Sequence, residues 1–382
     1  TLFLSITPAW FLHSRTAFET AEFVAFYAGA LWAYLFYRYK SPRYLYLTIF
    51  LGALAFYTYS PAQVIMPLTA LGLLISDWRY HWENRRALLI GIVMALILAL
   101  PYFRFSLNNP SAPFAHLHTL WSYWFENIPL AEKIGRYASE FGVGLSPWYW
   151  YIPNDRDLSR HLMKGYGHIM IMTLPFALLG LVHVLQNLRQ PAYRAILIAL
   201  LISPVASALV QVSITRTLVF VVPAAILTAI GLEKILQWLE DPKRQSDELA
   251  KGPGITPLRI VTATLIALAG FAIASISDED INQVVIAGVA ILFALRVSGV
   301  MERFARSIIS DESVKPKFWR FSQAAIALSV FFVLSIVNVR MLNGALRNGP
   351  LWFRDYGLGG MQYGAFQIFD IIDEYVKEHP EW

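Results

Sequence analysis

Long apolar segments, separated by short polar stretches, dominate the chain and predict membrane-spanning helices. A helix needs roughly 20 predominantly apolar residues to cross the hydrocarbon core of a bilayer. About ten segments reach or approach that length. The pattern therefore predicts an all-α polytopic membrane protein, because only helices and closed barrels satisfy their backbone polar groups in lipid. The predicted spans lie near 18–37, 43–58, 61–77, 87–103, 167–187, 195–213, 217–238, 258–276, 282–297 and 321–343.

The composition supports this class and argues against others. Of the 382 residues, 57% are hydrophobic and 15% are charged, whereas a soluble domain carries about 25% charged residues. A globule of this length cannot hide that much apolar surface, which argues against a soluble enzyme, a disordered chain and a nucleic-acid-binding module. We therefore expect membrane lipids, and no nucleic acid, among the partners. The chain has no cysteine, so disulfides and thiolate metal sites are excluded, and we expect neither a metal nor a cofactor.

The charges of the loops predict an orientation. Lys and Arg are concentrated in alternate loops, such as those near 38–43 and 79–86, while the short loops between them are almost free of positive charge. Basic loops remain on the cytoplasmic side, which predicts a multi-pass protein of the cell (inner or plasma) membrane. Residues 104–166 are then an extracytoplasmic loop of a transmembrane domain over 1–343, and residues 344–382 lie on the same outer side. The loops 239–257 and 298–320 are then cytoplasmic.

The loop 104–166 is too long to be a passive connection. Its many aromatic residues are typical of the aromatic belt at a membrane surface. Within it, residues 131–141 are predicted to form a short amphipathic helix in the interface. The aromatic residues are Trp121, Tyr123, Trp124, Trp148, Tyr149, Trp150 and Tyr151.

Two charged residues near the start of the chain form a first candidate site. Arg15 and Glu19 are four residues apart and share a helix face if the helix begins by Arg15. An Arg–carboxylate pair at the outer boundary of the membrane can hold a phosphate or a sugar. The alternative is an interfacial ion pair whose side chains extend to water.

Two further candidates lie later in the chain, on the same predicted side. Asp155, Asp157, Arg160 and His161 precede two glycines and a predicted helix start, an arrangement that favours an anion. The alternative is a solvated charged surface. Arg216 is the only cation between two apolar helices, where such residues are often functional. It can equally cap the preceding helix.

Several segments, in their order along the chain, resemble one known family. These are Thr7–Arg15 with Glu19, Tyr57-Thr58-Tyr59 before Pro61, Asp155 to Gly167 with Arg160-His161, Arg216 before the apolar helix that contains Pro223, and Leu351–Ala365. Together they resemble the bacterial family 39 glycosyltransferases, relatives of the protein O-mannosyltransferases and of the lipid A aminoarabinose transferases. That family has the C-type glycosyltransferase fold. Its Gly-Met-Gln-Tyr-Gly region usually leads into an outer domain, so the resemblance implies that residues 344–382 begin an extracytoplasmic C-terminal domain.

The resemblance implies a function and a role for each candidate. A sugar would pass from a polyprenyl-phosphate donor to a protein or lipid acceptor at the extracytoplasmic face, without a cofactor. Arg160, His161 and Arg216 would bind the donor phosphate, and Glu19 with Arg15 would support catalysis. Further candidates are Asp155, Asp157 and Tyr59. The family carries its catalytic acidic residue in an outer loop after the first helix, so the main base is expected upstream of residue 1.

Two other functions fit the same charges. A transporter of lipid-linked sugars or polyprenols needs a phosphate site but no catalytic base, although we see no internal repeat of the kind that transporters show. A non-catalytic scaffold subunit of a membrane complex needs neither. The sequence upstream of Thr1 would separate the enzyme from both, because an Asp or Asp-Glu after one leading helix is expected only of the enzyme.

Overall fold

The computed structural model describes residues 2–15, 18–163, 165–240, 331, 335–344 and 365–379. Within these ranges every regular element is helical. The chain divides into two units, one of residues 1–170, 182–226 and 341–382, the other of residues 171–181 and 227–340. The prediction of an all-α chain is confirmed for the described part.

The helices follow the apolar segments, and several begin where proline fixes the first turn. Pro8, Pro147 and Pro191 each stand in the first turn of a helix, where the missing N–H has no intrahelical role. The helices are α1 (Leu2–Ser5), α2 (Pro8–Ser14), α3 (Glu19–Tyr39), α4 (Tyr44–Thr58), α5 (Ala62–Ser76), α6 (Trp78–Glu83), α7 (Arg85–Asn108), α8 (Ala112–Thr119), α9 (Leu130–Leu145), α10 (Pro147–Tyr151), α11 (Leu174–Gln186), α12 (Pro191–Ile202), α13 (Ile214–Thr217), α14 (Val221–Glu240) and α15 (Ala365–Glu378). Short 3₁₀ turns occupy Tyr123–Phe125, Ser159–His161, Ile171–Thr173, Ser207–Leu209 and Leu218–Phe220.

Three helical runs in the described part of the chain are long and apolar enough to cross a membrane. They are Arg85–Asn108, Pro191–Leu209 and Ile214–Lys234. On the first run, Leu89, Val93, Leu96 and Leu100 all point outward and are exposed. Such an apolar surface is unfavourable in water and suits lipid. These runs indicate a membrane protein.

The predicted count of about ten spans is only partly matched. The seven segments between 18 and 238 all fall on helices, although the predicted span 167–187 begins later, with α11 at Leu174. The segments 258–276 and 282–297, and most of 321–343, lie outside the described residues. The loops 239–257 and 298–320 also lie there, apart from the end of α14, so the count of ten and the orientation stay predictions.

The core of the first unit is built on α3, which packs against α4 and, with α5, against α12. Tyr27, Tyr34 and Tyr37 of α3 are almost completely buried. The Tyr27 hydroxyl lies 3.1 Å from the Thr69 Oγ1 of α5. Buried alanines, among them Ala33, let the neighbouring helices approach this aromatic row. The row leads from the middle of the bundle to a charged cluster around Asp77.

The loop 104–166 is folded, and some of its aromatic residues form a core. The predicted amphipathic helix over 131–141 is present as α9. Trp150 is completely buried, donates from Nε1 to the Gly144 carbonyl at 2.7 Å, and stacks on Phe220 with ring centroids 4.2 Å apart. Trp121 and Trp148, in contrast, are 90% and 61% exposed. The expectation of an aromatic belt is therefore wrong for Trp150 and its buried neighbours, because they pack inside the protein.

The second unit is described mainly by parts of α11 and α14. A Cβ on Gly180 would overlap the Leu227 carbonyl, and one on Gly231 would overlap that of Phe176. The two helices therefore touch backbone to backbone, which only glycine permits.

Of the predicted C-terminal domain, α15 is described, and its described side chains from Phe369 onward are exposed up to the end of the helix. Residues 345–364 lie outside the described ranges, so the division at residue 343 stays a prediction.

Candidate anion-binding site

Asp157 is the centre of a buried polar cluster in the first unit. Its side chain is 1% exposed. Oδ2 accepts hydrogen bonds from the Tyr149 hydroxyl at 2.8 Å and from His168 Nε2 at 3.0 Å. Oδ1 accepts from the main-chain N–H of Ile214 at 2.8 Å. One carboxylate thus joins α10, the segment that leads to α11, and the first residue of α13.

Side chains satisfy three successive main-chain donors before and at the start of α13. The N–H of Val212 donates to Glu140 Oε2 at 2.7 Å, that of Ser213 to the Ser207 hydroxyl at 3.1 Å, and that of Ile214 to Asp157. Glu140 in turn accepts from Arg156 Nη2 at 2.6 Å. These donors are therefore occupied by the protein itself. These three N–H groups are therefore not available to an anion.

Burial and hydrogen bonding oppose each other at Asp157. Burial disfavours the charged form of this carboxyl, but the hydrogen bond from His168, together with those from Ile214 and Tyr149, outweighs it and holds the pKa of Asp157 below its ordinary value. Burial and the neighbouring carboxylate raise the pKa of Tyr149 well above its ordinary value. Asp157 is therefore ionised at neutral pH and Tyr149 is a neutral donor.

Two histidines from distant parts of the sequence form a second part of the cluster. His13 Nε2 lies 3.2 Å from His161 Nδ1, and the two rings stack with centroids 5.2 Å apart. His13 Nδ1 lies 2.7 Å from the Ala9 carbonyl, and Arg160 Nε donates to His161 Nε2 at 3.1 Å. A carbonyl only accepts, so His13 carries its proton on Nδ1, and its Nε2 accepts from His161 Nδ1–H. Both rings are then neutral and satisfy each other.

The electrostatics agree with this assignment. Burial, with the charge of neighbouring groups, lowers the pKa of His161 to about 3 and that of His13 to about 4. His161 is therefore neutral at neutral pH, and its predicted role in phosphate binding stays a prediction. Its ring is desolvated and stands beside the Arg160 guanidinium, which disfavours a second positive charge. Arg160 is left as the cation of this pair.

Three of the predicted site residues, Glu19, Tyr59 and Arg216, are linked through the electrostatics of Tyr59. Burial raises the pKa of Tyr59; the Arg216 guanidinium and a hydrogen bond with Thr215 oppose this shift, and the Glu19 carboxylate adds to it. Arg216 is partly exposed, and its Nη1 donates to the Gln211 carbonyl at 3.0 Å. Glu19 and Arg216 thus each lie close enough to Tyr59 to influence its titration.

The structure bears on three further interpretations from the sequence. Arg15 follows the end of α2 and Glu19 begins α3, so the two do not share a helix face as the spacing predicts. The Arg15 guanidinium lies over the Phe11 ring, 4.8 Å from its centroid. Arg216 donates to the carbonyl of Gln211, which lies two residues beyond the helical run that ends at Leu209, so this bond is not to a carbonyl of that run. Asp155 is exposed and makes no contribution to the buried cluster, unlike Asp157.

Four residues of this cluster were not among the predicted site residues: His13, Glu140, Tyr149 and His168. The partner of His13 is 148 positions away and the Val212 N–H that Glu140 binds is 72 positions away, whereas Tyr149 and His168 lie 8 and 11 positions from Asp157. Gly167 gives a local signal, since a Cβ there would lie 2.5 Å from the Tyr151 carbonyl carbon. A glycine required by close backbone approach marks the packing of 165–170 on α10, which carries His168 to Asp157.

Comparison with known proteins adds no further information on this site. No family model, no curated protein and no solved structure matches the chain.

Proposed function

We propose that the chain transfers a sugar from a polyprenyl-phosphate donor to a hydroxyl of a protein or lipid acceptor at the extracytoplasmic face of the cell membrane. The observation that carries the proposal is the hydrogen bond between Asp157 and the Ile214 N–H. It ties the segment of Arg160 to the segment of Arg216, two cations that are 56 positions apart in sequence. The resemblance to the family 39 glycosyltransferases supplies the donor and the reaction.

The two arginines suit a phosphate that becomes a leaving group. When the bond between the anomeric carbon and the phosphate oxygen breaks, negative charge develops on the phosphate. Guanidinium groups stabilise that charge, and they do so most strongly where water is excluded. Arg160 and Arg216 are the cations of the site, while Asp157 organises their two segments without facing the donor.

The carboxylate of Glu19 suits the acceptor side. The acceptor hydroxyl attacks the anomeric carbon and loses its proton to a carboxylate, while polyprenyl phosphate leaves with the bonding electrons. Glu19 lies close enough to influence Tyr59 together with Arg216, so it is the acidic residue of the described chain that is best placed to orient the acceptor or the main base. The long apolar tail of the donor would lie against the exposed apolar helices.

Binding of the donor lipid tests the phosphate site. In detergent solution, Arg216→Ala and Arg160→Ala should each weaken the affinity for a polyprenyl phosphate about ten- to a hundredfold, the value of a hydrogen bond to a charged group. Arg136→Ala is the matched control. Arg136 belongs to the same predicted outer loop, but it is exposed and forms ion pairs with Glu126 and Glu132 of that loop.

Transfer itself is tested with the sugar-linked lipid. The full-length protein should release polyprenyl phosphate from polyprenyl-phosphate sugar in the presence of an acceptor, and Glu19→Gln should slow that release without changing donor affinity. Donor affinities that do not change in either arginine variant would contradict the phosphate site. Binding without any release, in a protein with its full outer loops, would favour the transporter.

A further inference from the structure

The neutral histidine pair is not used by the proposed reaction, yet it touches one of its two arginines. We propose that His161, supported by His13, is a positioning residue that holds the Arg160 guanidinium in the orientation in which it binds the donor phosphate. This inference rests on the proposed function of Arg160. It gives His161 a role different from that of a phosphate ligand.

The direction of the hydrogen bonds carries the argument. Arg160 Nε donates to His161 Nε2, His161 Nδ1 donates to His13 Nε2, and His13 Nδ1 donates to the Ala9 carbonyl. This series of hydrogen bonds ends at the main-chain carbonyl of Ala9, which cannot rotate away as a side chain can. Because each ring nitrogen has one role, the imidazole of His161 presents an acceptor, and only an acceptor, to the guanidinium.

The same residues are also fixed from the other side. The Ala9 N–H donates to the His168 carbonyl at 3.0 Å, and the His168 ring donates to Asp157. Asp157 stands four positions before His161. Contacts and backbone therefore close a ring through α2, His168 and the 157–161 segment. A side chain held in such a ring has few alternative orientations.

Packing removes the remaining freedom of the two imidazoles. Their planes are inclined by only 16°, and the Phe18 ring lies against both, with centroids 6.0 Å from His13 and 5.8 Å from His161. His13 and His161 are both buried. An arginine loses considerable rotamer entropy when it is fixed on a ligand. Fixing it in advance through Nε reduces that loss when the phosphate binds.

Binding of a polyprenyl phosphate to matched variants tests the inference. His161→Leu removes the acceptor and should weaken binding about tenfold, whereas His161→Gln, whose side-chain oxygen can accept from Arg160, should recover much of the affinity. In an Arg160→Ala background, His161→Leu should have no further effect, because its influence passes through Arg160. Thermal unfolding of each variant in detergent shows which ones remain folded.

The pH profile separates positioning from direct binding. The ratio of wild-type to His161→Leu affinity should stay constant between about pH 8 and 5.5, because the histidine is neutral in that range, with a pKa of about 3. Titration of the lipid phosphate is common to both proteins and cancels in the ratio. A ratio that rises as the pH falls through about 6.5, the ordinary pKa of histidine, would indicate a cationic ligand and overturn the inference.

The outcomes distinguish this inference from the proposed function. Full donor affinity in folded Arg160→Ala contradicts the phosphate site itself. Weak binding by Arg160→Ala together with full affinity in folded His161→Leu overturns only the positioning role. Additive losses in the double variant also overturn it, since His161 would then act independently of Arg160. His183→Leu, which removes a histidine of α11 paired with Tyr193, should leave the affinity unchanged.

Discussion

Two buried carboxylates, Asp77 and Asp157, organise the two polar clusters of the first unit, and they are balanced in opposite ways. Each side chain is 1% exposed, and each joins segments that are distant in sequence. Asp77 is balanced by the formal positive charges of two arginines. Asp157 is bound by a hydroxyl, an imidazole and a main-chain N–H. The difference in partners determines what each cluster can do.

The Asp77 cluster uses its charges internally. Arg38 Nε lies 2.8 Å from Oδ2, and Arg194 Nη2 contacts Oδ1. Tyr34 donates its hydroxyl to Oδ2 at 2.5 Å, and the Arg38 guanidinium lies 3.7 Å from the centroid of the Tyr80 ring. The cluster ties α3 and α12 to the end of α5. Both guanidinium groups are committed to the same carboxylate, so this is a structural clamp.

The described partners of Asp157 are different in kind. They are a hydroxyl, an imidazole and a main-chain N–H, which supply hydrogen bonds without the charge of a guanidinium. Arg216 donates from Nη1 to the Gln211 main-chain carbonyl. A carboxylate satisfied by such donors can shape a cationic site without neutralising it. This property distinguishes a candidate anion site from a clamp built on the same residue type.

Matched Asp→Asn variants test this comparison most strongly. Asp77→Asn leaves two arginines, one of them 11% exposed, beside a neutral side chain. Removing one partner of a buried pair costs about 3–5 kcal/mol. Asp157→Asn keeps an oxygen acceptor and should cost less, about 1–3 kcal/mol for an unsatisfied donor. The free energy of unfolding in detergent, from denaturant titration, measures both, and a larger loss at Asp157 would contradict the contrast.

The sequence predicts the helices better than it predicts either cluster. The apolar segment near 18–37 appears as α3 and that near 61–77 as α5, each within two residues at both ends, because apolar runs of this length are a local property. Asp77 gave no signal beyond its place at the end of such a run. Its role depends on Arg194, which is 117 positions away.

The charged segment 155–161 shows where sequence reasoning stops. Its residue types indicate an anion site, and the structure retains Arg160 as a cation. The charge of His161, however, depends on burial beside His13, and the role of Asp157 depends on His168 and Ile214. Desolvation and tautomer choice are tertiary effects. They cannot be inferred from spacing within one loop.

Acidification should weaken the fold chiefly through His13 and His161 of the Asp157 cluster. His13 and His161 have pKa values of about 4 and 3 in the folded protein, against an ordinary value of about 6.5. Between pH 6.5 and 4 the unfolded chain binds protons that the folded chain does not. The free energy of unfolding therefore decreases as the pH is lowered, by up to about 1.4 kcal/mol per pH unit for each histidine. Above pH 6.5 the two contribute no slope.

The free energy of unfolding at pH 7.5, 5.5 and 4.5 measures this slope. His13→Gln should make it shallower. Near the Asp77 cluster, burial lowers the pKa of His81 too, so His81→Gln is the matched variant and removes the contribution of one histidine. A slope that neither variant changes would mean that the histidines are not buried in the neutral form.

The smallest effects are expected at Arg15 and Glu19, two exposed charges that neither carboxylate organises. They belong to different helices, and no ion pair joins them among the described contacts. Exchanging them, Arg15→Glu with Glu19→Arg, should change the free energy of unfolding by no more than about 0.5 kcal/mol. The changes in the free energy of unfolding of the two single variants should add within about 0.3–0.5 kcal/mol, as for independent sites.

Sugar transfer provides the contrast. Arg15→Ala should leave the rate of transfer unchanged, whereas Glu19→Arg places a positive charge beside Tyr59 and Arg216 and should reduce it. A coupling energy well above 0.5 kcal/mol would restore the pair that the four-residue spacing predicts, and would make Arg15 part of the site with Glu19.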